Sequence, residues 1–210
     1  MEIGTAIGPG LAEIDDVARP RFWLVLTHGA GGGVASPDLL AARQAGLDVG
    51  AIVARVLQPY RAAGRRVPGS PARQDAAWLE IVAAIGALVP GIPLVQGGRS
   101  NGARLACRTA RQAGAAGVVA LAFPLHPPGR AGTGPSRAPE LRAAGVPVLA
   151  VSGDRDPFGI PDSADVDRLI VLPGEAHPLS RDPQAVRTAV TEWLGPLAVG
   201  FAAATAGTGD

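Results

Sequence analysis

The chain has 210 residues, 47% of them hydrophobic and 18% charged, and its 19 basic and 18 acidic side chains leave a formal net charge of +1. A chain of this length fits one domain that buries roughly 70% of its unfolded surface, and a charge so near zero points to neither nucleic acid nor an acidic membrane surface. Apart from three histidines every basic residue is arginine, which excludes Schiff-base and P-loop chemistries that need a lysine, and the single cysteine, Cys107, excludes an internal disulfide and a Cys-rich zinc site.

No basic leader followed by an apolar run opens the sequence, and no stretch approaches about 18 apolar residues, so a soluble, cytoplasmic protein is expected. Residues 3–7 and 11–14 read as a short antiparallel pair joined through Gly8, Pro9 and Gly10. Residues 22–27 (Phe-Trp-Leu-Val-Leu-Thr) form an unbroken apolar run, as a strand buried on both faces should. Similar runs follow at 51–57, 93–96, 118–123 and 146–152, with a shorter one at 168–172 nearer an edge. Between them, Trp78, Ile81, Val82, Ile85 and Val89 recur at helical spacing over 72–89, ended by Pro90 and Gly91. An Ala- and Arg-rich helix is predicted over 100–113, and another over 183–194 with Asp182 and Pro183 at its start. Strands alternating with helices predict a mainly parallel twisted sheet covered on both faces. Neither a repeat nor a second domain is visible; residues 1–199 are expected to form one domain and 200–210 a frayed tail.

The sequence Gly98-Arg99-Ser100-Asn101-Gly102 follows a predicted strand and opens a predicted helix. That is the setting of a nucleophile elbow, where flanking glycines let strand and helix approach and the serine hydroxyl stands at a helix N-terminus. The same residues could also form an ordinary Gly-rich turn with Ser100 as a helix cap; the rest of the sequence favours the nucleophile.

After the strand ending at Thr27 comes His28-Gly29-Ala30-Gly31-Gly32-Gly33. A backbone N–H from such a loop, together with that of the residue after the nucleophile, can hold an oxyanion. Ala30 and Asn101 are the expected donors, with Gly31 as the alternative to Ala30. Gly29 and Gly31 would let substrate approach the backbone, and His28 would brace the loop. A phosphate-binding reading lacks both the P-loop lysine and a G-x-G-x-x-G followed by an acidic ribose partner.

Two later strand ends carry acids and a base: Gly153-Asp154-Arg155-Asp156-Pro157 and Pro173-Gly174-Glu175-Ala176-His177. Ser100, Asp156 and His177 then form a triad in the order Ser, Asp, His. Asp156, fixed by Pro157, is preferred over Asp154 as the orienting acid. His177 is preferred over His126 as base; His126, between prolines, is read as a cleft wall that could touch substrate. Arg99 can either meet an anionic substrate or be tied into a structural carboxylate pair. Cys107 reads as a small buried hydrophobe.

Together the stretches 27–33, 97–104, 124–129, 153–159 and 173–177 resemble the α/β-hydrolase superfamily, and within it the small dienelactone-hydrolase-like branch that includes the hydrolase-fold subunit of a chromatin acetyltransferase complex. The resemblance implies the α/β-hydrolase fold and a Ser-Asp-His triad on the residues named. Dienelactone hydrolases carry cysteine where this chain has Ser100, a departure that leaves the acyl-transfer chemistry untouched and bears on the dienelactone substrate alone. Many relatives insert a cap after the strand following the nucleophile helix; here only a short Pro- and Gly-rich loop, 127–139, stands there. The expected function is cleavage of a compact ester or thioester without metal or cofactor, a small molecule being the only partner implied. The alternative is a hydrolase-shaped binding or scaffold protein without turnover.

Overall fold

Phe22 to Thr27 carries no exposed side chain because both faces of the strand it forms are covered. In the computed structural model, which describes residues 1–129 and 134–206, this run is strand β3 (Phe22–Thr27), near the middle of an eight-stranded sheet. The other strands are β1 (Glu2–Ile3), β2 (Gly10–Asp15), β4 (Ala51–Leu57), β5 (Leu94–Arg99), β6 (Gly117–Leu121), β7 (Val148–Gly153) and β8 (Arg168–Leu172), in the order β1-β2-β4-β3-β5-β6-β7-β8. From β4 to β8 all pairings are parallel; β1 and β2 form an antiparallel extension on β4. The N-terminal pair is shorter than expected: β1 stops at Ile3, and the Thr5 hydroxyl turns back to the Gly8 carbonyl.

Alternate residues of β3 serve opposite faces, as the pleat requires. Phe22, Leu24 and Leu26 pack with residues of helices α1 (Pro37–Asp48) and α6 (Pro183–Ala206). Trp23 and Val25 pack instead with Trp78, Ile81, Val82 and Ile85 of α3 (Pro71–Gly86). On that second face, α4 (Asn101–Thr109) and the short α5 (Ala138–Arg142) cover β6 and β7. A further single-turn helix, α2 (Pro59–Ala62), follows β4.

Helix α1 has no counterpart among the predicted elements. Its inward face is Leu39, Ala41, Ala42, Ala45 and Gly46, mostly small residues without a strong apolar stripe. Small size is what the packing needs: a Cβ at Gly46 would lie 2.6 Å from a Leu24 methyl. Helix α6 runs through Ala206, and Phe201 packs on Phe22 with ring centroids 5.6 Å apart; residues 207–210 of the expected tail lie outside the described residues. Between β6 and β7 there is α5 and no cap domain, although residues 130–133 of the expected 127–139 loop also lie outside the described residues. Among the described residues no helix is long and apolar enough to cross a membrane.

Candidate active site

The chain leaves β3 for β4 on one side and returns to β5 on the other, so the strand order reverses between β3 and β5. Crevices in open α/β sheets form at the carboxyl ends of strands beside such a reversal. Register then sets the neighbours: Thr27 pairs with Gly98, and Arg99 with Leu121. The residues after Thr27 therefore emerge beside those after Gly98.

Ser100 has φ 52° and ψ −114°, a left-handed conformation that costs a non-glycine residue about 1–3 kcal/mol. Its N–H donates to the Leu121 carbonyl at 2.9 Å. The flanking glycines answer a steric demand, since a Cβ at Gly98 would lie 2.4 Å from the Thr27 carbonyl oxygen, and one at Gly102 would lie 2.6 Å from that same oxygen. Helix α4 is held from outside by arginines at i and i+4: Arg104 Nε donates to Glu140 at 2.8 Å, and Arg108 Nη2 to Asp75 at 2.6 Å. This pairing accounts for the arginine content of the helix. Cys107 on the inner face is fully buried, and burial pushes its thiol up to about 12.

The glycine loop after β3 is held through its carbonyls. The fully buried His28 accepts the Gln58 N–H at Nε2 (3.0 Å), so its proton resides on Nδ1, which donates to the Gly29 carbonyl at 2.8 Å. Burial holds this histidine below its ordinary value, against the raising effect of the Gly29 bond and with a further lowering by the Arg61 charge. The Gly29 carbonyl also accepts the Gly32 N–H at 3.0 Å, closing a turn whose third residue, Gly31, has φ 84°. Because a trans peptide sets C=O and N–H antiparallel, fixing the Gly29 carbonyl fixes the direction of the Ala30 N–H. Arg61 Nε holds the Gly32 carbonyl at 2.9 Å. A Cβ at Gly29 would come within 3.2 Å of the Ser100 Cβ, so the loop lies directly against the nucleophile turn. Asn101 directs its side-chain amide to Gln74 Oε1 at 2.9 Å, and its backbone N–H, first in α4, has no acceptor within the helix.

The ends of β7 and β8 bring the other two residues in. His177 Nδ1 lies 2.8 Å from Asp156 Oδ2, and His177 Nε2 lies 2.9 Å from Ser100 Oγ. The Asp156 side chain is fully buried, and its other oxygen accepts the Phe158 N–H at 2.9 Å. The Phe158 ring lies against the His177 imidazole with centroids 4.3 Å apart. Asp154 is exposed, so of the two acids the structure brings Asp156 to the histidine. The His126 ring, read as a cleft wall, places Nδ1 3.2 Å from the Gly134 carbonyl, and its backbone N–H donates to the Phe158 carbonyl at 2.9 Å. It braces the loop that carries Phe158.

Arg99 is tied into a carboxylate pair. Its Nε donates to Asp38 Oδ2 at 2.8 Å and its Nη2 to the His177 carbonyl at 2.9 Å. Asp38, in the first turn of α1, is fully buried. Sequence reasoning missed Asp38, Arg61 and Glu175. The last is buried, accepts the N–H groups of Arg181 (2.8 Å) and Asp182 (2.6 Å), and so closes the loop bearing His177. A Cβ at Gly153 would lie 2.3 Å from the Glu175 carbonyl oxygen, which is how tightly the two loops cross. An acid two residues before the histidine was the available signal for Glu175; Asp38, 61 residues from its partner, left none.

A serine on a strained strand-to-helix turn, with a histidine and a buried carboxylate at later strand ends, belongs to one broad class of α/β proteins. A family model for the alpha/beta hydrolase domain matches residues 20–171. The chain belongs to the alpha/beta hydrolase family. No curated protein sequence matches it. Among solved structures it is similar to an alpha-beta serine hydrolase homologue from Coxiella burnetii (TM-score 0.78, 16% identity, covering 92% of this chain and 96% of that one). It is also similar to a serine hydrolase without a lid from Xanthomonas campestris (TM-score 0.67, 19% identity, 91% of each chain). A third similar structure is dienelactone hydrolase from Anabaena variabilis (TM-score 0.68, 16% identity, 92% and 94%). At these identities the likeness is one of fold.

Proposed function

We propose that the protein is a serine hydrolase that cleaves compact esters or thioesters through an acyl-enzyme. The observation that carries this reading is the unbroken chain from Asp156 Oδ2 through His177 to Ser100 Oγ, at 2.8 and 2.9 Å. A carboxylate can only accept, so His177 holds its proton on Nδ1 and offers the Nε2 lone pair to the serine hydroxyl. Ser100 Oγ attacks the substrate carbonyl carbon as its proton passes to Nε2, and the backbone N–H groups of Ala30 and Asn101 receive the oxyanion. Collapse expels the alcohol or thiol, which takes the proton from Nε2. Water, deprotonated in turn by His177, releases the acid and restores Ser100. Gly29 and Gly31 leave the floor beside the carbonyl free of side chains.

Among the described residues no cap stands over the sheet, which supports compact substrates, because a long acyl chain would find little apolar cover there. A series of p-nitrophenyl esters tests this: kcat/KM should be highest for acetate to butyrate and lower by about tenfold or more for decanoate. A preference for decanoate would count against the reading.

A further inference from the structure

Each of the three segments that build the site meets the side chain of Arg99. It is the last residue of β5 and adjoins Ser100. Its Nη1 lies 3.2 Å from where a Cβ of Gly29 would be, so it passes beneath the glycine loop. Its Nη2 holds the backbone carbonyl of His177, and its Nε is fixed by Asp38, whose second oxygen accepts the Leu39 N–H at 2.9 Å at the start of α1. We propose, resting on the hydrolase reading of this site, that the Asp38–Arg99 pair is a positioning device that holds His177 at hydrogen-bonding distance from Ser100.

The physical case is one of geometry. His177 lies five residues beyond the end of β8, on a loop that the sheet does not hold directly. Phe158 fixes the ring from one side and Asp156 fixes Nδ1, but the backbone of His177 is tied toward the nucleophile turn by Arg99. The planar guanidinium can satisfy a carboxylate and a carbonyl at once along different N–H directions, whereas a lysine ammonium is a single point on a flexible stem. The Asp38 side chain is fully buried and that of Arg99 is 17% exposed, so the pair is largely shielded from competing water. The Arg99 charge is balanced by the Asp38 carboxylate at 2.8 Å. A positioning role of this kind acts on kcat, because a shift of about 1 Å in a catalytic group can cost on the order of 10²-fold.

The test uses Arg99→Met, Arg99→Lys and Asp38→Asn in the full chain, with circular dichroism establishing which variants are folded. Two readouts are taken. One, independent of turnover, is the downfield proton resonance of the His177 Nδ1–H bonded to Asp156, assigned by its absence from His177→Ala. The other is the kcat and KM for p-nitrophenyl acetate. In Arg99→Met the resonance should broaden or vanish, and kcat should fall by about 10- to 100-fold while KM changes little. Arg99→Lys should recover little of this. Asp38→Asn, which keeps the shape of the pair, should give the same changes in weaker form and serves if Arg99→Met does not fold. An unchanged resonance in the folded variants, a rise in KM at constant kcat, or full rescue by lysine would overturn the positioning role. If the resonance responds in the variants but the wild-type protein cleaves no ester, the positioning role stands and the hydrolase reading falls.

Discussion

His177→Ala should lower kcat for a short ester by roughly 10⁴-fold while leaving the protein folded. The loss follows from what the imidazole does at both ends. Among the described residues, Nε2 is the group brought within hydrogen-bonding distance of Ser100 Oγ that can take its proton, at 2.9 Å. Without it the hydroxyl remains a poor nucleophile. At the other end Asp156 would keep only the Phe158 N–H as partner, an unbalanced carboxylate in a fully buried position. Asp156→Asn should approach the same loss by a different route: its amide can present an N–H to Nδ1, favouring the tautomer that carries the proton on Nε2 and so blocks acceptance from Ser100. Steady-state kinetics on the two variants check both effects. A loss of less than about tenfold in either would mean that the hydrogen-bonded chain is not the reaction path.

Gly102→Ala should damage the protein as severely without touching a reacting atom. The new methyl would lie 2.6 Å from the Thr27 carbonyl oxygen and 2.8 Å from that of His28. Both are backbone atoms at the end of a central strand and cannot swing aside, so α4 must move off β3. Overpacking of this kind costs about 1–3 kcal/mol and sometimes more, which in a chain of this size lowers Tm by roughly 2–4 °C per kcal/mol. The displacement also moves Ser100 and the Asn101 N–H relative to the glycine loop, so activity should fall further than stability explains. Gly86→Ala is the matched control. No atom lies within 4 Å of a Cβ there, at the last residue of α3, and stability should hold or rise by up to about 1 kcal/mol. Thermal melts of both variants decide it, equal Tm values being the contrary result.

The parts of the fold that announced themselves are those where one residue type repeats along the chain. Strands β3, β4 and β8 begin and end where their apolar runs do. Strand β5 extends three residues beyond its apolar run, through Gly97 and Gly98 to Arg99, because pairing with β3 and β6 on both sides sustains the ladder where local propensity would not. Helix α1 was illegible for the opposite reason: its buried face is built of alanine and glycine to suit a close approach to β3 and β4, which leaves almost no apolar periodicity.

In the site, spacing after strand ends was enough to nominate Ser100, Asp156 and His177, since the elbow and the chain order are local features. What each charged residue bonds to was not. Arg99 and Asp38 meet only because β5 lies beside β3 and α1 follows the glycine loop, an arrangement that belongs to sheet order rather than to sequence spacing. His126 likewise sits between prolines as read, while its backbone bond to the Phe158 carbonyl was not legible from that setting.

Whether Ser100 is an activated nucleophile is decided most directly by treating the native protein with a fluorophosphonate probe and mapping the adduct by mass spectrometry. A single adduct on Ser100 is expected, lost when the protein is denatured before treatment and absent from Ser100→Ala. A native protein that takes no label, or a Ser100→Ala variant that labels equally, would contradict it.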